Sequence, residues 1–193
     1  MRFQKFSFGL WCFLACTMTS TTAQASELSD KLQSSDYVLL MRHTRAPGTG
    51  DPANYTLDDC KTQRNLSDEG RKQGVEVGNW LKQQGVQIAD VQTSAWCRCK
   101  DTAELLNFGR VTVEPTLASF FDEMAQAKTQ NQKLKQFIAA KLKTKGKQVL
   151  ILVTHHVNIY EFMGENIASG DMVLAKVDSN GKMTSYKLIP RPS

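Results

Sequence analysis

The apolar positions of this chain fall into short continuous runs separated by longer stretches with helical spacing. Tyr37–Met41 is one such run, and Lys147–Val153 is the strongest, rich in β-branched residues and leucine. Runs of this kind predict strands buried on both faces, as in a parallel sheet covered by helices. Ser67, followed by Asp68 and Glu69, predicts a capped helix that reaches Gln84 and stops at Gly85. A strand near Val91–Thr93 comes next, then a helix that Ser94 caps and that runs to about Asn107. A short strand at Val111–Val113 precedes a helix over Thr129–Lys143, whose Leu134, Phe137, Ile138 and Leu142 share one apolar face. A short helix spans about Val157–Met163, and Met172–Val177 with Met183–Leu188, joined across Ser179, Asn180 and Gly181, reads as a hairpin. Strands alternating with helices predict an α/β fold: a three-layer sandwich with a mainly parallel central sheet flanked by helices.

The first residues follow another pattern. Arg2 and Lys5 precede an apolar stretch from Phe6 to Cys16, and Ala23, Gln24 and Ala25 close the polar segment after it. That is the layout of a secretory signal peptide cut after Ala25. The apolar stretch is shorter than the roughly 18 residues of a membrane span. The expected organisation is therefore a signal peptide over 1–25 and one domain over 26–193, periplasmic or secreted, with no stable membrane insertion after cleavage. Loss of Arg2 and Lys5 lowers the formal charge from +5 to about +3, a mild excess. Much of it lies between Lys128 and Lys147, where Phe137 is the only aromatic residue, so a solvated helix face is predicted there and no nucleic-acid surface.

Of five cysteines, Cys12 and Cys16 belong to the signal peptide, which leaves Cys60, Cys97 and Cys99. An oxidising compartment permits one disulfide among them. Cys97 and Cys99 are too close in sequence to bridge comfortably, so Cys60 is expected to pair with one or the other. No Cys or His spacing typical of a zinc site is present, and no metal or cofactor is expected.

The three histidines sit at two places, His43 directly after the first strand and His155 with His156 directly after the strongest one. Both are carboxyl ends of strands, where ligands bind in parallel α/β sheets. Arg98 reaches the same edge from the start of the helix after Ser94. If Arg42, His43, Arg98 and His155 meet, two guanidiniums can clamp phosphate oxygens and depress the pKa of His43. A neutral His43 can then attack phosphorus to give a phosphohistidine that water hydrolyses. A protonated His155 can hydrogen-bond to the equatorial oxygens. Arg45, Arg64, Ser94 and His156 are further candidates for substrate binding.

These residues carry a resemblance. Leu39–His43 resembles the signature of the histidine phosphatase superfamily, the phosphoglycerate-mutase-like fold, in which an Arg-His pair ends the first strand. Arg64–Ser67 with Gly70 and Gln73, then Ser94, Arg98, Thr102 and Ala103, then Val153–His155 are similar to later segments of that family, in its order. The resemblance implies His43 as the phosphorylated nucleophile, Arg42 and Arg98 as the clamp, and His155 as the second histidine. Thr44 and His156 stand where glycine is common, and are expected to narrow the mouth of the site. The leaving-group acid should fall between Leu117 and Glu123, with Asp122 and Glu123 both open and Ser119 at the usual position. The chain is most similar to secreted bacterial members, some of which act on phosphorylated sugars of the lipopolysaccharide core. The function implied is a metal-independent phosphatase for a small phosphomonoester. The alternatives are a phosphohistidine or phosphoprotein phosphatase, and a non-hydrolytic phosphate-binding relative. No pattern in the chain specifies an oligomeric state.

Overall fold

The computed structural model describes residues 26–192, so the expected signal peptide lies outside them. A six-stranded sheet forms the middle layer, in the order β3-β2-β4-β1-β5-β6. Its strands are β1 (Tyr37–Arg42), β2 (Ala89–Thr93), β3 (Val111–Val113), β4 (Val149–Thr154), β5 (Met172–Val177) and β6 (Met183–Ile189). The first four run parallel, whereas β5 pairs antiparallel with β1 and β6 antiparallel with β5. The expected hairpin is therefore the antiparallel edge of an otherwise parallel sheet.

Alternation along each strand divides the core. Leu39, Met41, Ile151 and Val153 face one side, which is covered by α1 (Ser26–Gln33), α2 (Asp68–Gln83) and α3 (Cys97–Leu105). Val38, Leu40, Leu150 and Leu152 face the other, under α4 (Ala127–Thr144) and α5 (His156–Met163). Both faces of β1 and β4 are buried, which is why these strands read as unbroken apolar runs. Helix α1 was not expected from the sequence: it is short, and Leu32 is its one fully buried apolar anchor.

The order of strands determines where the site forms. Because β4 lies between β1 and β2, the carboxyl ends of these three strands are adjacent. The backbone pins them together, with His43 N donating to Thr154 O at 3.0 Å and Ser94 N to Val153 O at 3.1 Å. Helix α2 approaches the loop after β1 closely at Gly70, where a Cβ would stand 2.1 Å from the Arg45 carbonyl oxygen. Ser67 caps α2 as expected, accepting from Gly70 N at 3.1 Å. Ser94 does not cap α3. That helix begins at Cys97 with Trp96 as its unassisted N-cap, while the Ser94 hydroxyl lies 2.8 Å from His155 Nε2 and accepts from Trp96 N at 3.5 Å.

Candidate active site

Arg42, His43, Arg64, Arg98, His155 and His156 line one cavity of about 80 Å³ beyond the ends of β1, β4 and β2. His43 is almost wholly buried, and its Nδ1 lies 2.8 Å from the Thr44 carbonyl oxygen. A carbonyl can only accept, so Nδ1 carries the proton and Nε2 keeps its lone pair. The pKa of His43 is lowered to about 3, first by burial and then by Arg98, Arg42 and Arg64, with the Thr44 contact opposing them. The expected depression is present, with burial rather than the arginines as its chief cause.

His155 is likewise buried. Burial first, then His43, Arg98, Arg64 and His156, hold its pKa well below the ordinary histidine range. This favours the neutral ring over the protonated one expected from the sequence. Its Nε2 lies 2.8 Å from Ser94 Oγ and 3.5 Å from the Cys99 thiol. When Ser94 donates to Nε2, the ring proton sits on Nδ1, and the neutral histidine remains a hydrogen-bond donor. Ser94 is fully buried and acts on His155, so its expected contact with substrate is corrected to one behind the histidine.

Three arginines face the cavity, Arg64 beside the two expected as the clamp. Arg42 Nη1 donates to Ile167 O at 2.8 Å, and its Nε is buried without a protein acceptor. Arg98 Nη1 is held by both oxygens of Asp51, at 2.8 and 3.1 Å, and its buried Nε also has no acceptor. Arg64 Nε donates to Gly50 O at 2.7 Å, while its Nη1 donates to Ala46 O. Buried N–H donors without acceptors, on fixed planar cations, suit an oxyanion. Arg45 does not join them, since it is more than half exposed and paired with Glu69 at 3.2 Å.

Asp51 was missed by sequence reasoning. It lies in the polar loop after β1 with no local signal to mark it. Burial would raise its pKa, but hydrogen bonds from Arg98, Arg64 N and Trp96 Nε1 outweigh that and keep it ionised. Asp122 lines the cavity, whereas Glu123 accepts from Gln126 outside it, so of the two acids open in the sequence Asp122 is the one that faces the site. Ser119 lines the cavity as well, and its hydroxyl accepts from Phe121 N. Thr44 does not narrow the mouth: it is fully buried, and its N and Oγ1 each lie 3.1 Å from Thr102 Oγ1. His156 does reach the cavity, beside Phe121.

A disulfide joins Cys60 to Cys97, which settles the open pairing, and Cys99 is a buried free thiol. The bridge ties a turn of the loop after β1 to the residue before Arg98. Gln63 strengthens the link by accepting from Cys97 N at 2.9 Å.

Comparison with solved structures finds the same fold in the protein histidine phosphatase SixA complexed with tungstate. It is 22% identical with a TM-score of 0.58, over 80% of this chain and 97% of that one. The phosphoserine phosphatase of Entamoeba histolytica, complexed with 3-phosphoglyceric acid, is 14% identical with a TM-score of 0.56, over 78% and 95% of the two chains. The mycobacterial glucosyl-3-phosphoglycerate phosphatase with inorganic phosphate is 14% identical with a TM-score of 0.51, over 82% and 98%. No curated protein matches the sequence. The sequence profile of the histidine phosphatase superfamily, branch 1, matches residues 38–147, more than half of the chain. That span carries the first strand with its Arg-His pair and the second arginine, and the chain belongs to the histidine phosphatase superfamily.

Proposed function

We propose that this chain is a metal-independent phosphomonoesterase, acting outside the cytoplasm through a phosphohistidine on a small phosphate ester such as a phosphorylated sugar. The observation that carries the reading is the state of His43: a neutral ring with Nδ1–H tied to Thr44 O and a free Nε2, in a cavity lined by three guanidiniums. Arg42, Arg64 and Arg98 orient the phosphoryl group and offset its charge. Nε2 attacks phosphorus in line, the N–P bond forms, and the P–O bond to the leaving alcohol breaks. The departing oxygen takes a proton from Asp122 or from water. In the second step water attacks phosphorus and the N–P bond breaks, the proton of the attacking water returns to Asp122 or to solvent, inorganic phosphate leaves, and His43 returns to its neutral form. His155 donates a hydrogen bond to the phosphoryl oxygens in both steps. The extracytoplasmic site of action rests on the sequence of residues 1–25 and agrees with the Cys60–Cys97 bridge.

The test is hydrolysis of p-nitrophenyl phosphate by mature protein in EDTA, beside His43→Ala, with trapping of acid-labile phosphate. The expected result is EDTA-resistant turnover and trapped phosphohistidine, both lost in the variant. A folded wild-type protein that binds vanadate without turnover would instead mark a phosphate-binding relative. N-terminal sequencing of the exported protein, expected to begin at Ser26, tests the compartment.

A further inference from the structure

Nine large apolar side chains are exposed among the described residues, and three of them, Phe121, Met124 and Tyr160, gather at one groove. The groove holds about 330 Å³ and shares two walls, Phe121 and His156, with the catalytic cavity. Its floor is Phe120 and Val157, which pack with Ala127 in a small cluster of their own, apart from the two cores of the sheet. One side, Phe120, Phe121 and Met124, belongs to the segment that joins β3 to α4 and also brings Asp122 to the cavity, while the other side lies on α5, which begins at His156 of the cavity itself.

Size argues for one ligand across both hollows. Small-molecule sites run from about 300 to 1,000 Å³. The polar cavity at about 80 Å³ falls short of that range, while the groove beside it reaches it. A protein partner would need about 800 Å² of matching surface on its side, and a three-residue apolar cluster does not provide it. The chemistry argues for what the ligand is. Phe120, Phe121, Met124, Val157 and the Tyr160 ring dominate the lining, with polar groups only at His156, Glu161, Asn166 and the Tyr160 hydroxyl, so a heavily hydroxylated leaving group would lose more water there than these groups replace. An alkyl or aryl arm gains instead.

We infer that the groove is the leaving-group subsite, and that the preferred substrates are phosphomonoesters whose alcohol carries an apolar arm next to the phosphate, such as an alkylaryl group or the apolar end of an amphipathic glycoside. This rests on the phosphatase reading above and narrows its small phosphate ester to one with an apolar arm, in place of a simple sugar phosphate.

The test is steady-state kinetics on phenyl, 4-ethylphenyl and 4-propylphenyl phosphate, whose leaving groups differ little in basicity, with a hexose 6-phosphate as comparator. The expected result is a rise in kcat/KM of roughly three- to fourfold per methylene, with the hexose ester below all three. In the surface variant Met124→Ser/Tyr160→Ser, the ratio of propylphenyl to phenyl ester should fall toward one. A flat series, a hexose ester that outperforms the aryl esters, or a ratio unchanged in the variant would overturn the inference. Absence of all hydrolysis would be failure of the phosphatase reading, and the groove is then read from calorimetric affinities for the matching alkylphenyl phosphonates. There, a flat series overturns the subsite by itself.

Discussion

Asp51 and Arg98, 47 positions apart, form an ion pair with a shortest contact of 2.8 Å and side chains only 3% and 4% exposed. The same carboxylate accepts from Trp96 Nε1 and from the backbone of Arg64, at 3.1 and 3.0 Å. One acidic side chain therefore locks the loop after β1 onto the start of α3, orienting the Arg98 guanidinium and fixing the backbone of Arg64. A buried pair of this kind adds little net stability over an apolar replacement, yet breaking it strands a charge.

Asp51→Ala should accordingly destabilise the fold by about 3–5 kcal/mol, read as a lower denaturation midpoint in urea. Asp51→Asn keeps one acceptor oxygen in place of two and removes the charge, so it should unfold later than the alanine variant, with KM raised more than kcat is lowered. Equal midpoints for wild type and Asp51→Ala would show that Arg98 does not depend on this partner.

The link between Ser94 and His155 leads to a different expectation. Ser94 lies behind the histidine and does not line the cavity, so Ser94→Ala should leave KM nearly unchanged. Loss of one hydrogen bond, worth about 1 kcal/mol, should lower kcat roughly five- to tenfold. A rise in KM without change in kcat would place Ser94 against the substrate after all.

Stability should fall with acid before any carboxylate is titrated. His43 has its pKa lowered to about 3 by burial, and His155 is lowered for the same first reason. In the unfolded chain both take up a proton near the ordinary value of about 6.5. Between those values the unfolded state binds more protons, so each histidine removes about 1.4 kcal/mol per pH unit as pH falls, and nothing above pH 7. Urea unfolding at pH 7.5, 6.5 and 5.5 should show this decline, and His43→Asn should flatten it. A wild type equally stable at all three pH values would mean that neither ring is held neutral.

The cysteines should separate cleanly. The Cys60–Cys97 bridge spans 37 positions, and its removal in Cys60→Ser/Cys97→Ser should cost about 2–4 kcal/mol. Arg98 follows directly on Cys97, so phosphate affinity should weaken in that variant as well. Cys99 is fully buried, and burial first raises its pKa, to about 12, against the opposing pull of Arg98. It should resist thiol reagents in the native protein and react on unfolding. Rapid labelling of native protein would contradict the burial.

Much of this architecture is legible in the chain itself, for local reasons. A strand buried on both faces must be apolar at every position, so Tyr37–Arg42 and Val149–Thr154 stand out as runs. The residues that leave such strands, His43 and His155, are then placed at a sheet edge without knowledge of the fold. Arg98 and the Ser67 cap follow from the same short-range rules, because a helix start needs only its own first turn to be recognised.

What the tertiary structure alone decided are the partners of polar side chains across long separations. Ser94 looks like a cap in sequence, but His155, 61 positions later, takes its hydroxyl. Arg45 and Arg64 are equivalent in sequence, yet loop carbonyls aim Arg64 at the cavity while Glu69 holds Arg45 in solvent. The choice of Cys97 over Cys99 depends on which side of the first turn of α3 faces the loop, and Asp51 acquires meaning only once that loop has folded back. Periodicity is a property of neighbouring residues and survives in one dimension. The direction of a charged side chain in a loop depends on the three-dimensional placement of groups dozens of residues away, and no local pattern encodes it.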